Sequence, residues 1–256
     1  MIYSYFMNNL TNNIIIEICC GSYEDALAAY RGGVRRIELN NALYMGGLTP
    51  SLASLKLTKK NTDMKVICMV RPRGGGFCYS QEDFEVMKLD GEFLMANGAD
   101  GLAFGCLNSD CTIEESQTAA LTEIVKKYNG EAVFHRAFDC TADPYRATEQ
   151  LIDAGINRIL TSGQKQKAEE GVPLIAALQK KYGSRIELLA GSGINAGNAL
   201  DIIKATGINQ IHSSCKEWLR DPTTQTGNVT FSYANAPHEN DYETVSEELV
   251  RKLSGL

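Results

Sequence analysis

The feature that most constrains the fold is a short pattern that occurs four times. Gly33-Val34-Arg35-Arg36-Ile37 recurs as Gly98-Ala99-Asp100-Gly101-Leu102, as Gly155-Ile156-Asn157-Arg158-Ile159 and as Gly207-Ile208-Asn209-Gln210-Ile211. Each copy follows an amphipathic stretch and opens a β-rich run. Glycine suits the left-handed position just past a helix end. The apolar residue after it packs back on the last turn, and a polar residue then leads into a strand. The copies lie roughly 50–65 residues apart, about two βα units of a (β/α)8 barrel. Four such intervals imply eight strands, and 256 residues match the roughly 250 of one barrel.

Short apolar, β-branched or aromatic runs supply the strands: 14–20, 36–40, 65–71, 101–106, 131–135, 158–162, 186–190 and 210–213. Helical patterns separate them at 22–30, 51–60, 80–96, 113–128, 145–154, 165–182 and 195–205, and a last helix is expected at 242–253. Strict alternation implies right-handed crossovers and a parallel sheet. An open doubly wound sheet explains the alternation but not the fourfold period. The chain therefore reads as an α/β protein, a single-domain TIM barrel over 14–256 preceded by a short polar extension over 1–13. The polar, turn-rich segment 215–240 is long for a barrel loop, and such loops serve as lids or partner surfaces, or are disordered.

The net charge of −6 provides no basic excess for nucleic acid and no polybasic stretch for a membrane surface. The longest apolar runs, such as Ile14-Ile15-Ile16, are far too short to span a bilayer. The first thirteen residues lack a signal-peptide pattern. The eight cysteines include no CxxC pair, and several sit in apolar strand runs, where free cysteine behaves as a small hydrophobe. A reducing compartment, the cytoplasm, follows. A small anionic molecule remains a suitable partner, and a homo-oligomer is compatible with the sequence.

Barrels carry their chemistry at the C-terminal ends of the strands. On strand 1, Glu17 and Cys19 share a face; on strand 2, Glu38 and Asn40 do. Glu17 and Glu38 are thus expected side by side inside the barrel, where neighbouring carboxylates push their pKa values apart; the alternative is an ion pair. Strand 3 ends in Arg71-Pro72-Arg73-Gly74-Gly75-Gly76, a pattern suited to gripping an anion. Strand 5 ends in Phe134-His135-Arg136-Ala137-Phe138-Asp139, which puts one of only three histidines at a strand end beside Arg136. Strands 6–8 end in Ser162-Gly163, Ser192-Gly193 and His212-Ser213-Ser214, small residues of the kind that cradle a phosphate with backbone N–H groups. The bland alternatives are solvated arginines, a hydrogen-bonded core histidine and tight turns.

Taken together, Ile16-Glu17-Ile18-Cys19, Gly46-Gly47-Leu48-Thr49-Pro50-Ser51, Arg71-Pro72-Arg73-Gly74-Gly75, Phe134-His135-Arg136-Ala137-Phe138-Asp139, Leu160-Thr161-Ser162-Gly163 and His212-Ser213-Ser214 resemble the CutC copper-homeostasis family over nearly the whole chain. The resemblance implies a cytoplasmic (β/α)8 barrel with a role in copper handling and weak Cu(I) binding near Cys19. Asn40 stands where many family members have a second cysteine, and an amide is a poor Cu(I) ligand beside a thiolate.

Two functions follow as expectations. One is copper handling, with a copper ion as partner. The other is an enzyme of lyase or isomerase type acting on a small phosphorylated or carboxylated metabolite. In the second, Arg71 and Arg73 hold one anionic group, the Ser192-Gly193 and Ser213-Ser214 turns hold another, and Glu17, Glu38, His135 and His212 move protons. No lysine is expected at a strand end, which disfavours a Schiff base.

Overall fold

The computed structural model describes residues 14–256, so the expected polar extension lies outside the described residues. Eight parallel strands close into a barrel in sequence order: β1 (Ile15–Cys20), β2 (Arg36–Leu39), β3 (Lys65–Met69), β4 (Gly101–Phe104), β5 (Glu131–Phe134), β6 (Arg158–Thr161), β7 (Glu187–Ala190) and β8 (Gln210–Ser213). Seven helices alternate with them: α1 (Tyr23–Arg31), α2 (Leu52–Asn61), α3 (Gln81–Ala96), α4 (Glu115–Lys127), α5 (Pro144–Asp153), α6 (Val172–Tyr182) and α7 (Ala199–Thr206). The repeat glycines Gly33, Gly98, Gly155 and Gly207 all adopt positive φ, between 75° and 101°, as a helix stop requires.

Alternation along the strands divides the barrel into two environments. Ile18, Ile37, Leu102 and Phe134 face the helices in the large core. Ile67, Met69, Ala103, Val133, Leu160 and Leu189 form a separate apolar cluster, the packed interior of one side of the barrel. The N-terminal end of the interior is charged. Arg36 donates to Gln210 Oε1 (2.8 Å) and Gln210 donates to Glu187 (2.8 Å). Arg158 bonds Glu187 (3.0 Å) and Glu131 (2.8 Å), and Lys65 reaches Glu131 (2.6 Å). Six strand starts are thereby tied together, and polar groups that would be costly to bury alone have partners.

Segment 215–240 departs from the expected irregular loop. It holds β9 (Lys216–Arg220) and a small hairpin, β10 (Gln225–Thr226) with β11 (Val229–Thr230). β9 pairs antiparallel with β12 (Asp241–Val245), and α8 (Glu247–Ser254) follows. The period-2 runs Lys216–Arg220 and Asp241–Val245 are short and polar, so neither has the apolar face that marks a strand in sequence. The ribbon also takes four residues from the start of the expected last helix.

Asp25 ties this ribbon to the barrel. One carboxylate oxygen accepts from Thr244 Oγ1 and the Val245 amide (both 2.8 Å), and the other accepts from the Gly21 amide (2.8 Å). Asp25→Ala removes all three hydrogen bonds at a buried position. Loss of charge-assisted bonds of this kind costs about 3 kcal/mol, and the expected readout is faster hydrogen exchange at the Val245 amide. Unchanged exchange there would show that the ribbon is held by other contacts.

Candidate functional site

The C-terminal ends of the strands surround a cavity of about 340 Å³. Cys19, Glu38 and His212 meet at one part of its wall. Parallel register places Cys19 opposite Glu38 and Glu17 opposite His212, so these four side chains share the barrel interior. One donor atom each from Cys19, Glu38 and His212 lie within 4.8 Å of one another. Asn40 stitches the group together, donating from Nδ2 to Glu38 Oε2 (2.9 Å) and Cys19 Sγ (3.5 Å). Cys20 points the other way, into the helix-facing core.

Glu17 does not line the cavity. It lies deeper, paired with Arg36 (2.8 Å) and Arg158 (3.9 Å), and its other oxygen contacts His212 Nδ1 (2.9 Å). Burial works to raise its pKa, but the bond to His212 and the charges of Arg36, His212 and Arg158 outweigh it and hold the carboxyl down at about 2. This is the ion-pair arrangement that the sequence left as the alternative for Glu17. A carboxylate gripped by two arginines stays ionised, and it orients His212. With Nδ1 engaged, the His212 ring presents Nε2 as its free nitrogen. Burial opposes the imidazolium, yet the bond to Glu17 and the charges of Glu38 and Glu17 move the His212 pKa upward. Burial, assisted by the Glu17 charge, raises the Glu38 pKa against the pull of His212 and the bonds from Asn40 and Cys19. The two carboxyls therefore part as expected, Glu17 down and Glu38 up. Burial, reinforced by Glu38, pushes the Cys19 thiol well above its ordinary value.

His135 and Arg71 occupy another part of the wall. The His135 Nδ1 accepts the Ala137 amide (3.2 Å), which fixes the neutral tautomer with its proton on Nε2. Burial, then the charges of Arg71 and Arg136, lower its pKa to about 3, so the ring is neutral at physiological pH. Gly105 makes this placement feasible, because a Cβ there would come within 2.6 Å of the ring. Among the described residues Nε2 has no hydrogen-bond partner, although His135 is only 3 % exposed. The Arg71 guanidinium is anchored by the carbonyls of Met45, Gly47 and Gly75 and lies 5.2 Å from the Phe77 ring, which in turn is 5.0 Å from His135.

Other expected site residues are distributed differently. Arg73 turns away to Asp83 (2.8 Å) and the Cys78 carbonyl (3.0 Å) and is absent from the cavity wall, so Arg71 and Arg73 do not form one clamp. Ser162 and Gly163 are also buried outside the wall. The strand 6 turn has already captured an anion, the carboxylate of Asp139. It accepts from the Ser162 and Gln164 amides and from the hydroxyls of Thr161 and Ser162. Arg136, which does line the cavity, pairs with that same carboxylate (2.8 Å). Ser192, Gly193, Ser213 and Ser214 all reach the wall. The Ser213 hydroxyl, however, is spent on the Ile194 carbonyl (2.6 Å) and the Cys215 amide (3.2 Å).

Sequence reasoning missed the contribution of β9 and β12. Lys216, Glu243, Thr244 and Val245 close one side of the cavity, with Lys216 Nζ 3.1 Å from Glu243. A lysine thus stands three residues beyond β8, on β9 and outside the barrel strand ends considered in the sequence. Its short spacing from His212-Ser213-Ser214 was the one available signal.

Comparison with known proteins agrees with this architecture. The profile of the CutC family matches residues 14–217. A CutC family protein of Treponema denticola is 45 % identical over 247 residues, covering 95 % of this chain and 99 % of the relative. A human copper homeostasis protein cutC homolog is 40 % identical over 205 residues, covering 80 % of this chain and 74 % of the relative. The crystal structure of a candidate copper homeostasis protein CutC from Streptococcus agalactiae superimposes with a TM-score of 0.72 at 30 % identity, covering 78 % of this chain and 98 % of that one. No described helix is long and apolar enough to cross a membrane. The barrel, the cluster of Cys19 with Glu38 and His212, and a match over most of the sequence converge on one assignment: the chain belongs to the CutC family.

Proposed function

We propose that this protein serves copper handling in the cytoplasm, holding Cu(I) weakly as cargo at Cys19. The observation that supports this reading is the meeting of Cys19, Glu38 and His212 donor atoms within 4.8 Å. A cysteine sulfur and an imidazole nitrogen suit Cu(I); a carboxylate oxygen suits it poorly. Cys19 and His212 therefore supply the ligands, and Glu38 is the neighbour that accepts the thiol proton as the metal enters. Asn40 offers an amide beside Cys19 and no second sulfur. One sulfur, with a proton to be displaced on binding, fits a hold that releases its cargo. Eight free cysteines fit a reducing compartment, and the copper homeostasis names of the relatives point the same way.

The test is a Cu(I) titration against a competing chelator. Cys19→Ser and His212→Ala should each weaken binding by at least the roughly 10–100-fold that loss of an outer-shell partner costs a metal site. Affinity unchanged in Cys19→Ser would end the assignment of copper to this cluster.

A further inference from the structure

Copper leaves two parts of the cavity wall unexplained. The first is the His135 Nε2–H, a buried donor without an acceptor among the described residues. A protonated ring nitrogen cannot ligate a metal, and a buried donor left unpaired is costly, so this atom calls for an oxygen. The second is the pair of turns after β7 and β8. Ser192 and Gly193 take consecutive positive φ values, 83° and 75°, a tight turn that sits on the cavity wall. Among the described residues the amides of Gly193 and Ser214 have no hydrogen-bond acceptor. The aliphatic stem of Lys167 packs within 3.5 Å of the Cβ position of Gly193, and Lys216, paired with Glu243 at 3.1 Å, lines the same cavity together with Arg71. Donors at both places describe a ligand that is rich in oxygen. By contrast, the similar turn after β6 is filled by Asp139 from within the chain; among the described residues no carboxylate accepts from the turns after β7 and β8.

We propose that the cavity binds a small phosphorylated metabolite, with its phosphate on the amides of Gly193 and Ser214 and a carbonyl or carboxylate oxygen at its other end on His135 Nε2 beside Arg71. The cavity of about 340 Å³ falls in the size range of small-molecule sites. Glu38 and His212 line the same cavity, within the chamber where the expected proton chemistry would take place.

Calorimetry on protein freed of metal by a chelator tests this independently of copper, with inorganic phosphate and 2-phosphoglycolate as probes and chloride as the ionic-strength control. Phosphate should bind, and 2-phosphoglycolate should bind at least about tenfold more tightly, as one added charge-assisted hydrogen bond implies. Ser214→Asp places a carboxylate at an exposed position beside the phosphate and should weaken both probes by about tenfold or more. His135→Phe should weaken 2-phosphoglycolate alone, bringing it close to phosphate. Native-like thermal unfolding in Ser214→Asp keeps the test valid if His135→Phe folds poorly. No binding of either probe beyond the chloride control would overturn the site. Equal binding of both probes, unmoved by His135→Phe, would overturn the two-ended ligand.

Discussion

Glu17→Gln should remove about 3–5 kcal/mol of folding stability, the typical cost of breaking a buried ion pair from one side. The substitution keeps the shape of the side chain and deletes its charge. Arg36 and Arg158, both nearly fully buried, are then left facing a neutral amide, and His212 loses the carboxylate that orients it. Part of the Arg158 charge remains answered by Glu131 and Glu187; Arg36 has only Glu17 as an ion-pair partner among the described residues. For a domain of this size the melting temperature should drop by roughly 6–20 °C, at about 2–4 °C per kcal/mol. Urea denaturation of the two proteins measures it directly. A loss below about 1 kcal/mol, the range of an exposed pair, would mean that water reaches the barrel floor and that Glu17 is not the keystone of His212.

His135 should make the protein lose stability in mild acid. Its folded-state pKa is depressed to about 3, whereas an unfolded chain protonates histidine near pH 6.5. Between those values the unfolded state binds a proton that the native state refuses. Stability is therefore full above about pH 6.5 and falls as the pH drops toward 3, by up to about 1.4 kcal/mol per pH unit and on the order of 4 kcal/mol in all. In His135→Phe that component is missing, so the stability of wild type minus that of the variant should fall steadily from pH 7 to pH 4, whichever protein is the more stable at pH 7. Other acid-sensitive groups are common to both proteins and cancel in the difference. Parallel curves for the two proteins over that interval would show that His135 is free to charge inside the fold.

The eight strands were legible because helix stops and β-rich runs are local signals. Gly33, Gly98, Gly155 and Gly207 mark boundaries within one or two residues of those observed. The strand ends also carried the site. Cys19, Glu38, Arg71, His135, His212 and the Ser192-Gly193 turn converge because alternation and parallel register follow from the barrel itself. What stayed hidden depends on contacts made far along the chain. Glu17 reads like Glu38 in sequence, and only the company of Arg36, His212 and Arg158, brought together by barrel closure, sets it apart as a paired carboxylate. Arg73 looks equivalent to Arg71, yet Asp83 on α3 draws it outward. Thr161-Ser162-Gly163 looks like an anion turn and is one, but its anion is Asp139. The β9–β12 ribbon was unreadable because its strands pair over twenty intervening residues and bury little apolar surface.

The charged ring at the N-terminal end of the barrel and the cavity at the C-terminal end divide the labour of the fold. Six strand starts are joined below by arginines, glutamates, a lysine and a glutamine that answer one another, so the floor is held by groups that need nothing from a guest. The rim above is built partly by β9 and β12, and one stretch of it, Glu243 to Val245, lies beyond the stretch matched by the family profile. That stretch can vary among relatives without disturbing the floor, which makes it the place where the same inner chamber could be fitted to different guests.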